Sequence, residues 1–247
     1  MDDYIISILD LSLNYHTTER ETKAIENISF NVKKGELLGI VGPSGCGKST
    51  ILSLIAGLLK PSLGEIYVGG KVSYMLQKDY LLAWRTIKQN AFLGLEIQNK
   101  LTEENKNNVI DMLKKYGLGD FLDHYPSQLS GGMRQRVALI RTLAVKPDIL
   151  LLDEPFSALD YQTRLAISDE VWQIIKQEKK TALFVTHDIS EAISMSDRIL
   201  VLSKRPGHVI SIHDIKTSGD QGPLNRRNSP EFRDYFNIIW KELDVHV

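Results

Sequence analysis

Residues 42–50 read Gly42, Pro43, Ser44, Gly45, Cys46, Gly47, Lys48, Ser49 and Thr50. The run fits G-x-x-x-x-G-K-[ST], a loop built to cradle phosphate. Glycines let backbone N–H groups close on a phosphate because no Cβ stands in the way. A helix opening straight after the loop adds the positive end of its dipole. Lys48 supplies a point charge for β and γ phosphates, and Ser49 a hydroxyl for Mg2+. A charge-assisted contact of this type is worth about 1.5–3 kcal/mol. Cys46 reads as a small loop-filling residue, with a redox-sensitive thiol as the alternative. Taken by itself, the loop specifies binding of a nucleoside triphosphate and no more.

A second signal is the run Ile149-Leu150-Leu151-Leu152-Asp153-Glu154-Pro155, an apolar strand ending in two acids. Burying a charge without compensation is costly, so acids at a strand end usually hold something. Beside a phosphate loop the first acid serves Mg2+, which assigns Asp153 to the metal side. Neighbours on a strand point to opposite sides, so Glu154 is aimed elsewhere and suits polarisation of an attacking water. A third signal is LSGGMRQR at residues 129–136. Ser130, Gly131 and Gly132 open a helix there and form a second helix end able to read an anion, or simply a good cap.

The elements that must position these groups follow from periodicity. Residues 4–13 and 25–32 alternate as strands, and Leu37 to Val41 is a short apolar run leading into the phosphate loop. A helix is predicted over 49–59, ending near Lys60-Pro61, and more strand over 65–77 with a Gly-Gly turn. From about 86 to 145 no convincing strand occurs. Thr102 starts a helix to about Tyr116, with Val109, Ile110, Leu113 and Tyr116 at helical spacing. Another covers 131–145, with Val137, Leu139, Ile140, Leu143 and Ala144 inward. Strand 149–152, helix 162–179, strand 181–185, a helix near 189–195 and strand 198–202 complete the alternation. That order predicts a mainly parallel α/β core with a helical block of about 60 residues inserted into it. Ser229-Pro230 starts a C-terminal helix whose stripe of Phe232, Phe236, Ile239, Trp240 and Leu243 is expected to dock on the chain's own core, with a partner surface as the alternative.

Composition narrows the class. The 247 residues carry 30 Lys plus Arg and 31 Asp plus Glu, a net charge of −1. A chain so balanced has no bulk electrostatic reason to bind nucleic acid. Its one cysteine cannot form an internal disulfide, which fits a reducing compartment. Ile51 to Leu59 is the longest apolar-looking stretch, far short of the roughly 18 residues a membrane span needs. The acidic start Met1-Asp2-Asp3 does not read as a signal peptide. The expectation is an intracellular protein that reaches a membrane only through a partner.

Together the motifs make the chain resemble the ATP-binding subunit of ABC transporters over nearly its whole length. The resemblance rests on GPSGCGKST, Gln77 in YMLQ, LSGGMRQR, ILLLDEP, SALD at 157–160 and VTHD at 185–188, in the family's order. It implies an α/β P-loop NTPase (RecA-like) core with N-terminal antiparallel β elements and an inserted α-helical subdomain. The implied division of the single 1–247 ATPase domain is 1–85 and 146–222 for the core, 86–145 for the helical subdomain and 223–247 for the C-terminal helix. It implies ATP and Mg2+ as ligands and two chains packed head to tail, as a homodimer or with a related ATPase subunit. Ser130, Gly131 and Gly132 then contact the γ-phosphate held by the partner chain. Tyr15 matches the aromatic that stacks on adenine, and Asp160 the acid that crosses to the other subunit. Glu154, His187, Gln77 and Lys48 form the implied catalytic set, and Ser49, Gln77 and Asp153 the metal set. His16, His124, His208, His213 and His246 match nothing and read as solvated or structural.

Leu81-Leu82-Ala83-Trp84 resembles the LLPW of importers for nitrate, sulfonate, taurine and related small molecules, with Ala83 where proline is usual. The segment between Gly64 and Gln77 is shorter than common in that group. The residues ALDYQTRL and the C-terminal helix point the same way. The implied function is an importer ATPase at the cytoplasmic face of the membrane, paired with integral membrane permease subunits and an extracytoplasmic substrate-binding protein, and not with nucleic acid. The alternatives are the separate ATPase chain of an ABC exporter and an ABC ATPase outside transport.

Overall fold

The computed structural model describes residues 4–16, 21–157, 159–218 and 222–245. The chain runs through β1 (Tyr4–His16), β2 (Glu21–Lys33), β3 (Leu37–Val41), α1 (Lys48–Ile55), β4 (Leu63–Val68), β5 (Val72–Met75), α2 (Ile87–Ile97), α3 (Glu103–Lys115), α4 (Gly131–Ala144), β6 (Ile149–Asp153), α5 (Tyr161–Gln177), β7 (Thr181–Thr186), α6 (Ile189–Met195), β8 (Arg198–Leu202), β9 (Val209–Asp214), α7 (Pro223–Arg227) and α8 (Pro230–Val245). Two sheets form. One is antiparallel with order β2-β1-β4, and the other has order β5-β6-β7-β3-β8-β9, parallel except for antiparallel β9.

The buried strands read as continuous apolar runs because both faces of the large sheet are covered. Leu38, Ile40, Ile149, Leu151, Leu183 and Val185 face one core, shared with β1, β2 and α1. Leu37, Val41, Leu150, Leu152, Ala182 and Phe184 face the other, built with α4, α5 and α6. A third cluster joins α2 and α3 to one side of α4 through Phe92, Leu95, Val109, Leu113, Val137 and Ile140. Helix α4 therefore serves two cores, since Ala138, Leu139 and Leu143 pack with the sheet.

Several elements differ from the sequence expectation. Helix α1 stops at Ile55 rather than near residue 59. Gly57 takes φ +72°, and the bonds Leu58 N–H to Ser53 O and Gly57 N–H to Leu54 O close the end as a Schellman motif. The stretch read as strand over 65–77 is two strands in different sheets, with Gly69-Gly70 carrying the chain between them. Helix α2, strand β9 and helix α7 were not expected. Helix α8 starts at Pro230 as expected, but the Ser229 hydroxyl donates back to the Arg226 carbonyl at 2.8 Å.

Ile239 on α8 is fully buried in the sheet-side core, with Phe232, Phe236 and Leu243 packed around it, while Trp240 is exposed. Ile239→Ala is expected to cost about 2–4 kcal/mol, within the range for large-to-small core changes. Trp240→Ala, which removes an exposed ring stacked on Phe236 at 6.0 Å between centroids, should cost no more than about 1.5 kcal/mol. Urea unfolding of the two variants measures both; equal effects would contradict docking of this helix by the Ile239 face.

Candidate nucleotide site

Strands β6, β7 and β3 are neighbours in the large sheet, so their C-terminal ends place three loops side by side. These are the phosphate loop after β3, the acids ending β6 and the histidine after β7. In open α/β sheets, ligands bind outside the carboxyl ends of the strands. Gly47 is the N-cap of α1 with φ 108°, and a Cβ there would lie 2.4 Å from Ile25 Cγ2. Only glycine fits that conformation and that space. Buried Lys48 donates through Nζ to the carbonyls of Gly42 at 2.8 Å and Pro43 at 3.0 Å, which folds its cation back over the loop. Cys46 is buried, and desolvation pushes its thiol up, so it stays protonated filler.

The Ser49 hydroxyl donates to Asp153 Oδ1 at 2.9 Å, and the Tyr74 hydroxyl donates to Asp153 Oδ2 at 2.9 Å. Burial pushes the Asp153 carboxyl above the usual range, while those two bonds pull the other way. Burial and then the Asp153 charge push the Tyr74 hydroxyl up, so it remains a donor. Glu154 sits at φ 44°, an uncommon left-handed conformation for a residue that is not glycine. Its Oε2 accepts from Gln77 Nε2 at 3.1 Å and lies 3.3 Å from His187 Nδ1. His187 follows β7 and precedes Asp188, whose side chain caps α6 through the Ser190 N–H at 2.8 Å and the Glu191 N–H at 3.3 Å. Thr186 in turn donates to buried Glu191 at 2.6 Å. Burial pushes the Glu191 carboxyl up.

A cavity of about 380 Å³ opens over this group. Ser44, Gly45, Gly47, Lys48, Ser49 and Thr50 form its phosphate-loop wall, with Gln77 and Glu154 opposite. Tyr15 is on β1, and its hydroxyl lies 3.2 Å from Thr50 Oγ1. Ser49, Thr50, Gln77 and Glu154 bring to the wall the hard oxygen atoms that Mg2+ prefers, and Lys48 and Arg205 add positive charge. No cluster of three His, Cys, Asp or Glu side chains occurs among the described residues.

The remaining expected residues stand elsewhere. Ser130 caps α4, accepting from the Met133 N–H at 3.3 Å. Gly131 and Gly132 begin that helix, and a Cβ on Gly132 would press on Ile167 Cδ1 at 3.0 Å. Asp160 caps α5, accepting from the Thr163 N–H at 3.1 Å; a hydrogen bond with the Thr163 side chain, and then this backbone one, hold its carboxyl below the usual range. Neither Ser130, Gly131, Gly132 nor Asp160 lines the cavity. One chain thus brings together the phosphate loop, both acids, Gln77 and His187, and leaves the N-cap of α4 at Ser130 exposed.

Sequence reasoning missed Tyr74, Ala24 and Arg205; the last two line the cavity. Arg205 follows β8 in a Lys-Arg-Pro-Gly turn, and the Gly207 N–H of that turn donates to the Ala24 carbonyl at 3.0 Å. The other histidines are structural where described. His208 bonds Ser203 at 2.8 Å, His213 pairs with Glu242 at 2.9 Å, and His124 packs on the Phe121 ring. His246 and the side chain of His16 lie outside the described residues.

The sequence profile described as ABC transporter matches residues 25–157, more than half of the chain. The chain belongs to the ABC transporter family. It is an ABC ATP-binding subunit, of a family that hydrolyses ATP. The uncharacterized ABC transporter ATP-binding protein YtlC of Bacillus subtilis is 47% identical over 239 residues, covering 93% of this chain and 92% of the relative. The aliphatic sulfonates import ATP-binding protein SsuB of Bacillus cereus is 37% identical over 248 residues, covering 97% and 96%. Among solved structures, the ATP-binding cassette MJ0796, a dimer in a post-hydrolysis state bound to ADP and Pi, superposes with a TM-score of 0.74 at 31% identity, covering 86% of this chain and all of that one. The ABC cassette described here shares their α/β P-loop fold.

Proposed function

We propose that this cassette is the ATP-hydrolysing subunit of an importer for a small molecule of the nitrate, sulfonate or taurine class. The observation that carries the reading is similarity along 97% of the chain to a sulfonate import ATP-binding protein. Leu81-Leu82-Ala83-Trp84, placed just after Gln77, agrees with it. No helix among the described residues is long and apolar enough to cross a membrane, and in this reading separate permease subunits supply the membrane path. The cassette then sits at the cytoplasmic face of the membrane, with a substrate-binding protein on the other side. In our reading, residues 86–145 form a helical subdomain on a core of 1–85 and 146–222, with 223–247 as a C-terminal helical element.

Two chains close head to tail on two ATP molecules. Lys48 and the loop amides hold the β and γ phosphates, and Tyr15 stacks on adenine. Ser49, Gln77 and Asp153 would hold Mg2+, which when bound would supply neutralisation of charge on the transferred group. Glu154 takes a proton from water as the water oxygen attacks the γ-phosphorus and the bond to the β–γ bridging oxygen breaks. His187 and Gln77, both against Glu154, fix its carboxylate and order the γ-phosphate. Ser130, Gly131 and Gly132 of one chain stabilise the charge developing on the nucleotide of the other, and Asp160 crosses between the two.

Uptake tests the substrate class. A strain lacking this chain should fail to accumulate one of labelled nitrate, taurine or an alkanesulfonate, and regain uptake with the wild-type gene but not with Lys48→Ala. Normal uptake of all three would exclude the proposed class.

A further inference from the structure

We infer that Tyr74 is a positioning residue for the metal-side carboxylate, and that the segment from β5 to Gln77 holds the metal-side acid and the catalytic acid at once. Asp153 has each oxygen engaged by a different hydroxyl, Ser49 at Oδ1 and Tyr74 at Oδ2, both at 2.9 Å. The two bonds are not equivalent in purpose. Ser49 spends its proton on Asp153, so its lone pairs stay available to a cation. Tyr74 stands behind the acid, on edge strand β5, and its half-buried ring packs against the core shared by β3 and β6. It locks the rotation of the carboxylate and thereby the direction of the Ser49 hydroxyl. Groups that hydrogen-bond to metal ligands set both their orientation and their affinity.

Three residues further along the same segment, Gln77 donates to Glu154. Residues 74–77 therefore touch both neighbouring acids, one through Tyr74 and one through Gln77. Strand β5 pairs with β6 in register, Tyr74 opposite Leu151 and Met75 opposite Leu152, which carries this segment alongside the acids. A shift of the segment would alter metal binding and water activation together.

Tyr74→Phe removes the hydroxyl and keeps the ring. The experiment measures fluorescence of a methylanthraniloyl-ATP probe, once in EDTA and once titrated with Mg2+. The half-saturating Mg2+ concentration should rise about tenfold, the low end of what such partners contribute. Affinity for the probe in EDTA should stay within about twofold, and a packing role would not separate the two in this way. An unchanged Mg2+ midpoint overturns the inference, and so does an equal loss of binding with and without Mg2+. The inference rests on Asp153 being the metal-side acid, which Asp153→Asn tests separately. An unmoved midpoint in Asp153→Asn defeats that reading, whereas a moved midpoint there with a silent Tyr74→Phe defeats only the role of Tyr74.

Discussion

A Glu154→Gln chain is expected to bind ATP as the wild type does and to hydrolyse it about 10²–10⁴-fold more slowly, the usual contribution of a general base. The side chain stays nearly the same size, and its oxygen can still accept from Gln77 Nε2. What it loses is the capacity to take a proton. With chemistry blocked, the closed two-chain state should outlive that of the wild type, because hydrolysis is the step that reopens it. Phosphate release and size-exclusion chromatography in ATP measure both effects. Hydrolysis near the wild-type rate would remove Glu154 from the role of base. The left-handed backbone of this residue makes the assignment structural as well as chemical. A non-glycine residue at φ 44° carries a conformational cost, which persists only where the surroundings fix it. Here the Glu154 N–H bonds the Val185 carbonyl at 3.0 Å, tying the acid to the strand that delivers His187.

Ser130→Asp is the second large effect. Aspartate caps a helix as well as serine does, so α4 should remain intact. In the proposed head-to-tail pair, the substitution instead sets a carboxylate where the partner chain's γ-phosphate would sit. Nucleotide binding to the single chain should be unchanged, because Ser130 does not line the cavity. ATP-driven pairing should be lost, and hydrolysis should fall by at least about 10²-fold, as when an oxyanion donor is removed. Calorimetric binding and phosphate release read the two quantities. A parallel loss of binding would place Ser130 in its own chain's site.

Much of this site was legible before any coordinates, for a physical reason. Phosphate loops and strand-end acids are local patterns, and their chemistry fixes both residue type and spacing. Lys48, Ser49, Asp153 and Glu154 could be named because each lies within its motif. The core strands were legible too, since Leu37–Val41 and Ile149–Asp153 are buried on both faces. Tyr74 was not legible, because its partner lies 79 residues away and β5 looks like any short strand. Its meaning depends on β5 pairing with β6, which is a tertiary fact. Similarly, the Gly69-Gly70 step between two sheets cannot be told from a hairpin turn by periodicity. Helix α2 did carry a signal, a capping box formed by Thr86 and Gln89. Gly94 and buried Asn90 obscured it; Asn90 turns inward to bond Leu82, Arg85 and Thr86 carbonyls.

In the proposed pairing, each ATP is hydrolysed between the phosphate loop of one chain and the Ser130 helix of another. Mixing two crippled chains tests it most directly. Ser130→Asp and Glu154→Gln chains are combined before ATP is added, and phosphate release is compared with that of each chain alone. A head-to-tail pair of the two contains one site with an intact loop and an intact signature, so hydrolysis should return well above the sum of the separate rates. Release equal to that sum, in a mixture where crosslinking shows that mixed pairs form, would contradict a site shared between chains.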